Sequence, residues 1–223
     1  MSVTATSYEA DAAGFSRGAA TVAFAGGLGS LAILAALHLV RPDLAPGAHV
    51  ISEYAIGYSP LGLAFFAAQS LGCLAMAGAL LSSATTIGVR IGIALLVLAA
   101  IGLGMAVLFP MDALTTPAGE ETFAGAMHGV AALVGIPTFI AATLVLAYTL
   151  RKRGHWAPVG GWLVGFAHLT WIGLAAMVAC MVLLLTQGMT VMGDLVGYAN
   201  RLLVIAYACW LMFAAWPLMR SDR

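Results

Sequence analysis

The sequence predicts an all-α membrane protein with six transmembrane helices. Of its 223 residues, 62% are hydrophobic and only 8% are charged, whereas a soluble domain carries about 25% charged residues. The apolar runs are continuous rather than alternating, which is typical of membrane helices and not of an outer-membrane barrel. Nine basic and nine acidic residues give a net charge of zero, which argues against nucleic acid as a partner.

Six apolar runs reach the length of about 20 residues that a helix needs to cross the hydrocarbon core. Backbone groups in lipid must form hydrogen bonds within their own segment, so each run is predicted to be a helix. The predicted spans are Ala19–Val40, Pro60–Leu81, Ile91–Pro110, Phe123–Leu150, Val159–Thr186 and Leu195–Pro217. Residues 1–18 and 218–223 are the predicted terminal tails.

Local signals support individual elements. The residues before Ala19 include Glu9 and Asp11, and they are followed by a run of full spanning length, which predicts an uncleaved first helix rather than a removed signal peptide. Pro60 suits the first turn of the second helix. Pro137 is predicted to kink the fourth helix and to open space near its centre.

The distribution of positive charge predicts the orientation. Seven of the nine basic residues fall on one side of the predicted spans: Arg17, Arg90, Arg151, Lys152, Arg153, Arg220 and Arg223. Arg41 and Arg201 fall on the other side. The positive-inside rule therefore predicts that both termini are cytoplasmic and that the protein is a multi-pass protein of the inner (plasma) membrane.

Several polar residues enter the membrane at similar depth on the predicted outer side. Ionisable residues in or beside a spanning helix are costly and often functional. His38, Asp112, His128, Asn200 and Arg201 are therefore expected to converge on one outer pocket. Asp112 is expected to meet His128, because a short loop makes their helices antiparallel neighbours. The structural alternative is that Asp112 and Arg201 form an ion pair and that the histidines bond to backbone carbonyls.

Two further features lie elsewhere in the spans. His168, followed by Trp171, lies about 14 Å into the fifth helix from the inner side, where it either bonds a neighbouring helix or forms the floor of a pocket. Gly125-x-x-x-Gly129 and Gly161-x-x-x-Gly165 have the spacing that allows helices to approach closely.

Four short segments on the predicted outer side form a recognisable pattern. They are His38-Leu39-Val40-Arg41-Pro42-Asp43, Ile51-Ser52-Glu53-Tyr54-Ala55, Phe109-Pro110-Met111-Asp112 and Gly125-Ala126-Met127-His128-Gly129. In these segments and in the number of spans, the chain resembles the domain-of-unknown-function family 998, small bacterial and archaeal membrane proteins. The resemblance implies a six-span fold with its signature residues on the outer side, and it implies no particular activity.

A second similarity concerns residue types only. Ser52, Asp112, His38, His128 and His168 are the kinds of residue that surround zinc in ceramidase-like membrane hydrolases. The chain departs from that pattern, since it has six spans rather than seven and lacks a His-x-x-x-His pair. The sequence therefore predicts no cofactor. If zinc binds, its predicted ligands are His38, His128 and Asp112.

The favoured functional prediction is an enzyme that acts on a lipid or isoprenoid-like small molecule by acid–base chemistry, as an isomerase, cyclase or hydrolase. The predicted catalytic residues are Asp112, Glu53, His128 and His38. The predicted substrate-binding residues are Arg41, Ser52, Tyr54, His168, Trp171, Asn200 and Arg201. The predicted partners are membrane lipids and a small apolar or amphipathic ligand, and the sequence leaves self-association open.

Two alternatives belong to other classes of protein. A scaffold or ligand-binding protein without chemistry fits the same polar residues. A small transporter is less favoured, because transporters usually contain internal repeats and ionisable groups at the midplane, and the chain shows no convincing repeat.

Overall fold

The computed structural model describes residues 3–113, 116–117 and 119–220, with side chains from residue 13 onward. Its six long helices are α1 Val3–Val40, α2 Pro60–Ala79, α3 Ile87–Leu108, α4 Phe123–Leu150, α5 Gly160–Gln187 and α6 Thr190–Arg220. Short 3₁₀ helices cover Ile51–Tyr58, Leu81–Ser83 and Gly154–Val159. All six long helices are long and apolar enough to cross a membrane. The predicted all-α class and the number of spans are confirmed.

Two helices extend well beyond the predicted apolar runs. Helix α1 begins at Val3, so most of the predicted N-terminal tail continues the first helix. This extension is rich in alanine, which has the highest helix propensity. Helix α6 begins at Thr190 and ends at Arg220. Hydropathy marks only the apolar part of a helix, whereas backbone hydrogen bonding continues into the flanking polar turns.

The six helices form a closed ring. Each helix packs against the next one along the chain, α6 returns to pack against α1, and α2 also contacts α6 across the bundle. The packing between α4 and α5 is the least extensive around the ring. Successive helices are antiparallel, so helix ends gather at two opposite ends of the bundle.

One end of the bundle holds most of the candidate site residues, and we call it the polar end. It consists of the connections 41–59 and 188–189, the described residues of 109–122, and the helix turns that these segments join. The 3₁₀ helix Ile51–Tyr58 packs there against α2 and α6. Beneath it, a buried cluster includes Leu37, Tyr54 and Phe65. The larger apolar core fills the rest of the bundle and includes Leu96, Leu146 and Trp210.

The glycines that allow close helix packing are not the ones that the spacing predicted. A Cβ atom on Gly129, Gly161 or Gly165 would meet nothing within 4 Å, so these residues are not points of close approach. Helices α3 and α4 instead approach at Gly102 and Gly135. A Cβ on Gly102 would lie 2.5 Å from the Gly135 backbone, whereas a Cβ on Gly135 would lie 3.5 Å from Gly102.

This asymmetry predicts different effects for two alanine substitutions. Gly102→Ala should lower the free energy of unfolding by about 2 kcal/mol, because the new methyl group meets backbone that must move. Gly135→Ala is the matched control and should change it by less than about 1 kcal/mol, because the methyl group makes ordinary contacts. Denaturant titration in detergent micelles measures both values, and equal losses would contradict the packing described here.

Candidate functional site

The guanidinium of Arg201 lies inside the polar end, where only 7% of the residue is exposed. The loop that precedes the 3₁₀ helix Ile51–Tyr58 can reach Arg201 because residue 197 of α6, one turn before Arg201, is a glycine. A Cβ on Gly197 would collide with the carbonyl oxygens of Pro46, Gly47 and His49. The Gly197 N–H also donates to the Gly47 carbonyl at 2.6 Å. The glycine therefore allows the loop backbone to lie directly on α6.

Arg201 donates four hydrogen bonds to neutral acceptors. Its Nε–H donates to Nε2 of His38 at 2.9 Å, and Nη1 donates to the carbonyls of His49 at 2.7 Å and Gly197 at 3.0 Å. Its Nη2 donates to the Tyr54 hydroxyl at 3.1 Å. Arginine has five N–H groups, so four of the five are engaged by acceptors from α1, the first connection and α6.

The arginine fixes the tautomer of His38. Because arginine only donates hydrogen bonds, Nε2 of His38 must accept and carries no proton. The proton of the neutral ring is therefore on Nδ1, which donates to the Leu34 carbonyl at 2.6 Å. Both ring nitrogens of His38 are thus occupied.

His49 also contacts a buried carboxylate, that of Glu53, which is 7% exposed. Its Oε1 accepts from Nδ1 of His49 at 3.0 Å, and its Oε2 accepts from the Val50 N–H at 2.8 Å. His49 thus joins the two charged groups, because its carbonyl accepts from Arg201 and its ring donates to Glu53. We call Arg201, His38, His49, Glu53 and Tyr54 the Arg201 network.

Two other predicted binding residues have structural contacts at the polar end. The Asn200 side-chain oxygen accepts from the Ile51 N–H at 2.9 Å, which attaches the 3₁₀ helix to α6. Arg41 is outside the network and forms an exposed two-point ion pair with Asp43, with a shortest distance of 2.7 Å. Hydrogen bonding from Arg41 holds the pKa of the Asp43 carboxyl below its ordinary value.

Asp112 and His128 lie in a separate place, between α3 and α4. An open groove of about 520 Å³, which we call the α3–α4 groove, is lined by Met111, Asp112, Ala113, Thr116, Glu121, Gly125, Ala126, His128 and Gly129. His128 is 8% exposed, and its Nδ1 donates to the Phe109 carbonyl at 2.9 Å. With Nδ1 protonated in the neutral ring, Nε2 is an unprotonated acceptor, and no residue in the described part of the chain bonds to it.

Asp112 supports the start of α4. Its carboxylate accepts from the backbone N–H of Thr122 at 2.7 Å and from the Thr122 hydroxyl at 2.8 Å. The same hydroxyl oxygen accepts from the Gly125 N–H at 3.0 Å as the N-cap of the helix. A Cβ on Gly125 would collide with the Asp112 carboxylate, so glycine is required for this arrangement.

The model of the family described as "Protein of unknown function (DUF998)" matches residues 24–217. The chain belongs to the DUF998 family. Neither a curated protein nor a solved structure matches it. The matched region includes the Arg201 network and the α3–α4 groove, so both are built from residues of the family region.

The structure of this DUF998 protein corrects two expected contacts. Asp112 does not bond to His128, although both line the same groove, because the N-terminus of α4 offers the carboxylate unsatisfied N–H groups. The ion pair between Asp112 and Arg201, which was the structural alternative, is not formed either. Arg201 bonds to neutral groups, and the described residues provide it with no carboxylate partner. The polar residues therefore form two sites rather than one pocket.

The residues suggested for zinc do not fit a zinc site. A zinc-bound histidine needs a nitrogen lone pair, and both nitrogens of His38 are already engaged. His38 belongs to the Arg201 network, whereas His128 and Asp112 belong to the groove. In the described part of the chain, no three His, Cys, Asp or Glu residues are grouped so that they could hold a metal.

His168 bonds a neighbouring helix, as one of the two interpretations expected. Its Nδ1 accepts from Nε1 of Trp171 at 2.9 Å, so Nε2 carries the proton and donates to the Tyr148 hydroxyl of α4 at 2.9 Å. Trp171 is 44% exposed and Tyr148 is 47% exposed. This cluster lies on the bundle surface between α4 and α5, outside the Arg201 network and the groove.

Sequence reasoning missed His49 of the Arg201 network and the buried amide of Gln69. Gln69 lies in the middle of α2, is 2% exposed, and lines a cavity of about 70 Å³ within the bundle, which we call the central cavity. The predicted binding residues Ser52 and Asn200 line the same cavity. A neutral amide within an otherwise apolar run is the sequence signal that marks Gln69.

The geometry of the Arg201 network predicts that arginine at position 201 cannot be replaced by lysine without a loss of stability. Arg201→Lys should lower the free energy of unfolding by about 3 kcal/mol, because one ammonium group cannot reach four acceptors arranged around a planar guanidinium. Arg41→Lys is the matched control and should change it by less than about 1 kcal/mol, because its ion pair is exposed. Denaturant titration in micelles measures both, and an Arg201→Lys protein as stable as the control would contradict the network.

Proposed function

We propose that this DUF998 protein is an enzyme that acts on a lipid or isoprenoid-like small molecule by acid–base chemistry in the α3–α4 groove. One observation supports this most directly. The Nδ1–H of His128 is held by the Phe109 carbonyl, which leaves Nε2 as an acceptor on a residue that lines a groove with two carboxyl groups, Asp112 and Glu121.

In this proposal His128 is the general base. An imidazole is the side chain best suited to accept and return a proton near neutral pH. Asp112 stabilises the imidazolium that forms when His128 takes a proton. A carboxylate has about four acceptor positions, and Thr122 occupies two of those on Asp112, so Asp112 retains acceptor capacity. Glu53 and His38 act indirectly, by positioning the polar end through the Arg201 network.

Isomerisation or cyclisation suits this arrangement better than hydrolysis. The base removes a proton from one carbon of the substrate and a proton returns at another, so the reaction needs no additional reactant. Hydrolysis requires His128 to activate a water molecule instead. The groove contains both polar residues and apolar ones such as Met111 and Ala126, which is appropriate for a molecule with an apolar body and a reactive polar end.

The location of the groove also supports a substrate taken from the membrane. The groove lies at the polar end, beside the ends of two spanning helices. By the positive-inside rule, this end faces outward and both termini are cytoplasmic, which corresponds to the plasma membrane of the cell. A lipid-like molecule then enters laterally from the outer leaflet.

A second candidate function is ligand binding without catalysis. One observation favours it: three of the four predicted catalytic residues have fixed structural partners. Asp112 bonds to Thr122, Glu53 to His49, and His38 to Arg201. Acids and bases that already form hydrogen bonds within the protein are better suited to hold a ligand than to transfer its protons.

The enzyme proposal predicts a large effect at His128. The protein is reconstituted into liposomes made from a membrane lipid extract, and lipid and isoprenoid species are compared by mass spectrometry before and after incubation. His128→Gln should lower the rate of conversion by at least about 100-fold, because it removes the base. The rate in the wild type should also fall as the pH is lowered, because a protonated imidazole cannot accept a proton.

His168→Gln is the matched control for this experiment. His168 is also an intramembrane histidine with one proton donated to a neighbouring helix, but it lies outside the groove, so its variant should convert the same species at nearly the wild-type rate. A species that is retained by the protein but never converted would favour the binding function. Conversion that is unaffected by His128→Gln would eliminate His128 as the base.

A further inference from the structure

The two ends of the bundle carry opposite charge. The acidic side chains that the structure describes all lie at the polar end: Asp43, Glu53, Asp112, Glu120, Glu121 and Asp194. At the opposite end, which we call the basic end, the described side chains with a fixed charge are Arg17, Arg90, Arg151, Lys152, Arg153 and Arg220. The positive potential of the basic end therefore favours an anion as a ligand.

An open apolar groove of about 410 Å³ lies near the basic end. We call it the α6 groove, and its lining residues are Phe24, Val159, Met212, Phe213 and Trp216. Phe24 belongs to α1, Val159 ends the 3₁₀ helix before α5, and the other three belong to α6. All five residues are half-buried. The groove is thus a recess in the surface of the bundle, and it is accessible to a membrane lipid.

A more polar cavity adjoins the α6 groove. It has a volume of about 230 Å³ and shares Val159 and Trp216 with the groove. We call it the Arg220 cavity, and it is lined by His155, Pro158, Val159, Trp216, Pro217 and Arg220. Both His155 and Arg220 are exposed. An apolar recess therefore continues into one that contains a positive charge and a second polar side chain.

The order of these groups along α6 matches the order of groups in a phospholipid. Met212, Trp216 and Arg220 follow one another at positions i, i+4 and i+8 on one face of α6, over about 12 Å. Arg220 is the last residue of α6, so the cationic group lies nearer the end of the bundle and the apolar groove lies deeper. A phospholipid likewise has its phosphate at the membrane boundary and its acyl chains below.

The charge of Arg220 is available to a ligand. Its guanidinium carbon lies 4.0 Å from the centre of the Trp216 ring, a cation–π contact that positions the charge without a hydrogen-bond acceptor. Within the described chain, no carboxylate, carbonyl or hydroxyl bonds to this guanidinium. Arginine N–H groups bind phosphate oxygens at two points, so Arg220 is suited to a phosphate.

The loop that supplies the other wall of the Arg220 cavity is fixed to α6. Trp156 is buried, and its Nε1 donates to the Ala214 carbonyl at 3.0 Å. A Cβ on Gly160 would collide with the backbone of residue 151, so the loop turns tightly before α5. This turn brings His155 to the cavity, and the three basic residues 151–153 lie on the same short loop.

We propose that the α6 groove and the Arg220 cavity together bind one anionic phospholipid. An acyl chain packs against Phe24, Met212 and Phe213, and the headgroup phosphate accepts hydrogen bonds from Arg220 and His155. Basic pockets between membrane helices are typical sites for anionic headgroups. A zwitterionic lipid has the same chains and a phosphate, but its additional positive charge is disfavoured at the basic end.

This site is independent of the acid–base chemistry proposed for the α3–α4 groove. The two grooves lie at opposite ends of the bundle and share no lining residue. By the positive-inside rule, the basic end faces the cytoplasm, so the bound lipid comes from the inner leaflet.

Trp216 allows fluorescence quenching to test the proposal. The purified full-length protein is reconstituted into phosphatidylcholine liposomes that contain a small fraction of lipid with brominated acyl chains, either phosphatidylglycerol or phosphatidylcholine. Bromine quenches the fluorescence of a tryptophan that it contacts. Brominated phosphatidylglycerol should quench more strongly at the same mole fraction, because the site concentrates the anionic lipid. Trp216→Phe should remove this difference, whereas Trp171→Phe, which removes an exposed tryptophan outside the site, should keep it.

Three further variants separate the site from the general charge of the basic end. Arg220→Gln should lower the preference for phosphatidylglycerol about fivefold, the loss expected for one basic residue near a membrane surface. Arg90→Gln is the matched control, because Arg90 is also exposed at the basic end but lines neither cavity; it should keep most of the preference. Val159→Phe fills part of both cavities without changing the charge, and it should abolish the preference.

Soluble glycerol phosphate distinguishes a lipid from a free phosphate compound. At a concentration equal to that of the brominated lipid, it should leave the quenching by phosphatidylglycerol unchanged, because it has no acyl chain for the α6 groove. Displacement of the lipid by this compound would show that the groove is not part of the site and would overturn the proposal. Equal quenching by the two lipids in the wild type, or equal losses in Arg220→Gln and Arg90→Gln, would also overturn it.

Discussion

The polar end of the bundle depends on the guanidinium of Arg201 and on the need to satisfy it without bulk water. A charged side chain in a membrane-spanning helix is tolerated only where protein groups replace its hydration. Here four neutral acceptors do so: one on α1, two in the first connection and one on α6 itself. The donors of arginine lie in a fixed plane, so these acceptors have little freedom of position. The path of the first connection follows from that geometry.

The Arg201 network and the α3–α4 groove differ in how far their polar atoms are already hydrogen-bonded within the protein. In the Arg201 network, donors and acceptors satisfy one another, which makes it a rigid structural unit. In the groove, Asp112 is held by the start of α4, whereas His128 keeps one nitrogen lone pair available. The network also affects the central cavity, because Asn200, the neighbour of Arg201, attaches the 3₁₀ helix that contributes Ser52 to the lining. The Arg201 network and the lining of the central cavity are thus linked at the polar end.

Much of the fold could be predicted from the sequence, because continuous apolar runs leave helices as the only way to satisfy the backbone. The polar residues near the membrane boundary were also recognisable by type. Their partners were not, because two acceptors of Arg201 are the backbone carbonyls of His49 and Gly197, and any residue has such a carbonyl. The glycine pairs were mispredicted for a related reason. Spacing identifies a possible helix face, but whether another helix covers that face depends on the arrangement of the whole bundle.

The protonation of His38 tests the Arg201 network most directly. Because Arg201 donates to Nε2, the His38 ring must be neutral with its proton on Nδ1. Nitrogen-15 NMR of histidine-labelled protein at mildly alkaline pH distinguishes the two tautomers, and the His38→Gln spectrum assigns the signals. We expect a protonated Nδ1 and an unprotonated Nε2 for His38. A proton on Nε2 would contradict this expectation, because Arg201 could then not bond to this ring.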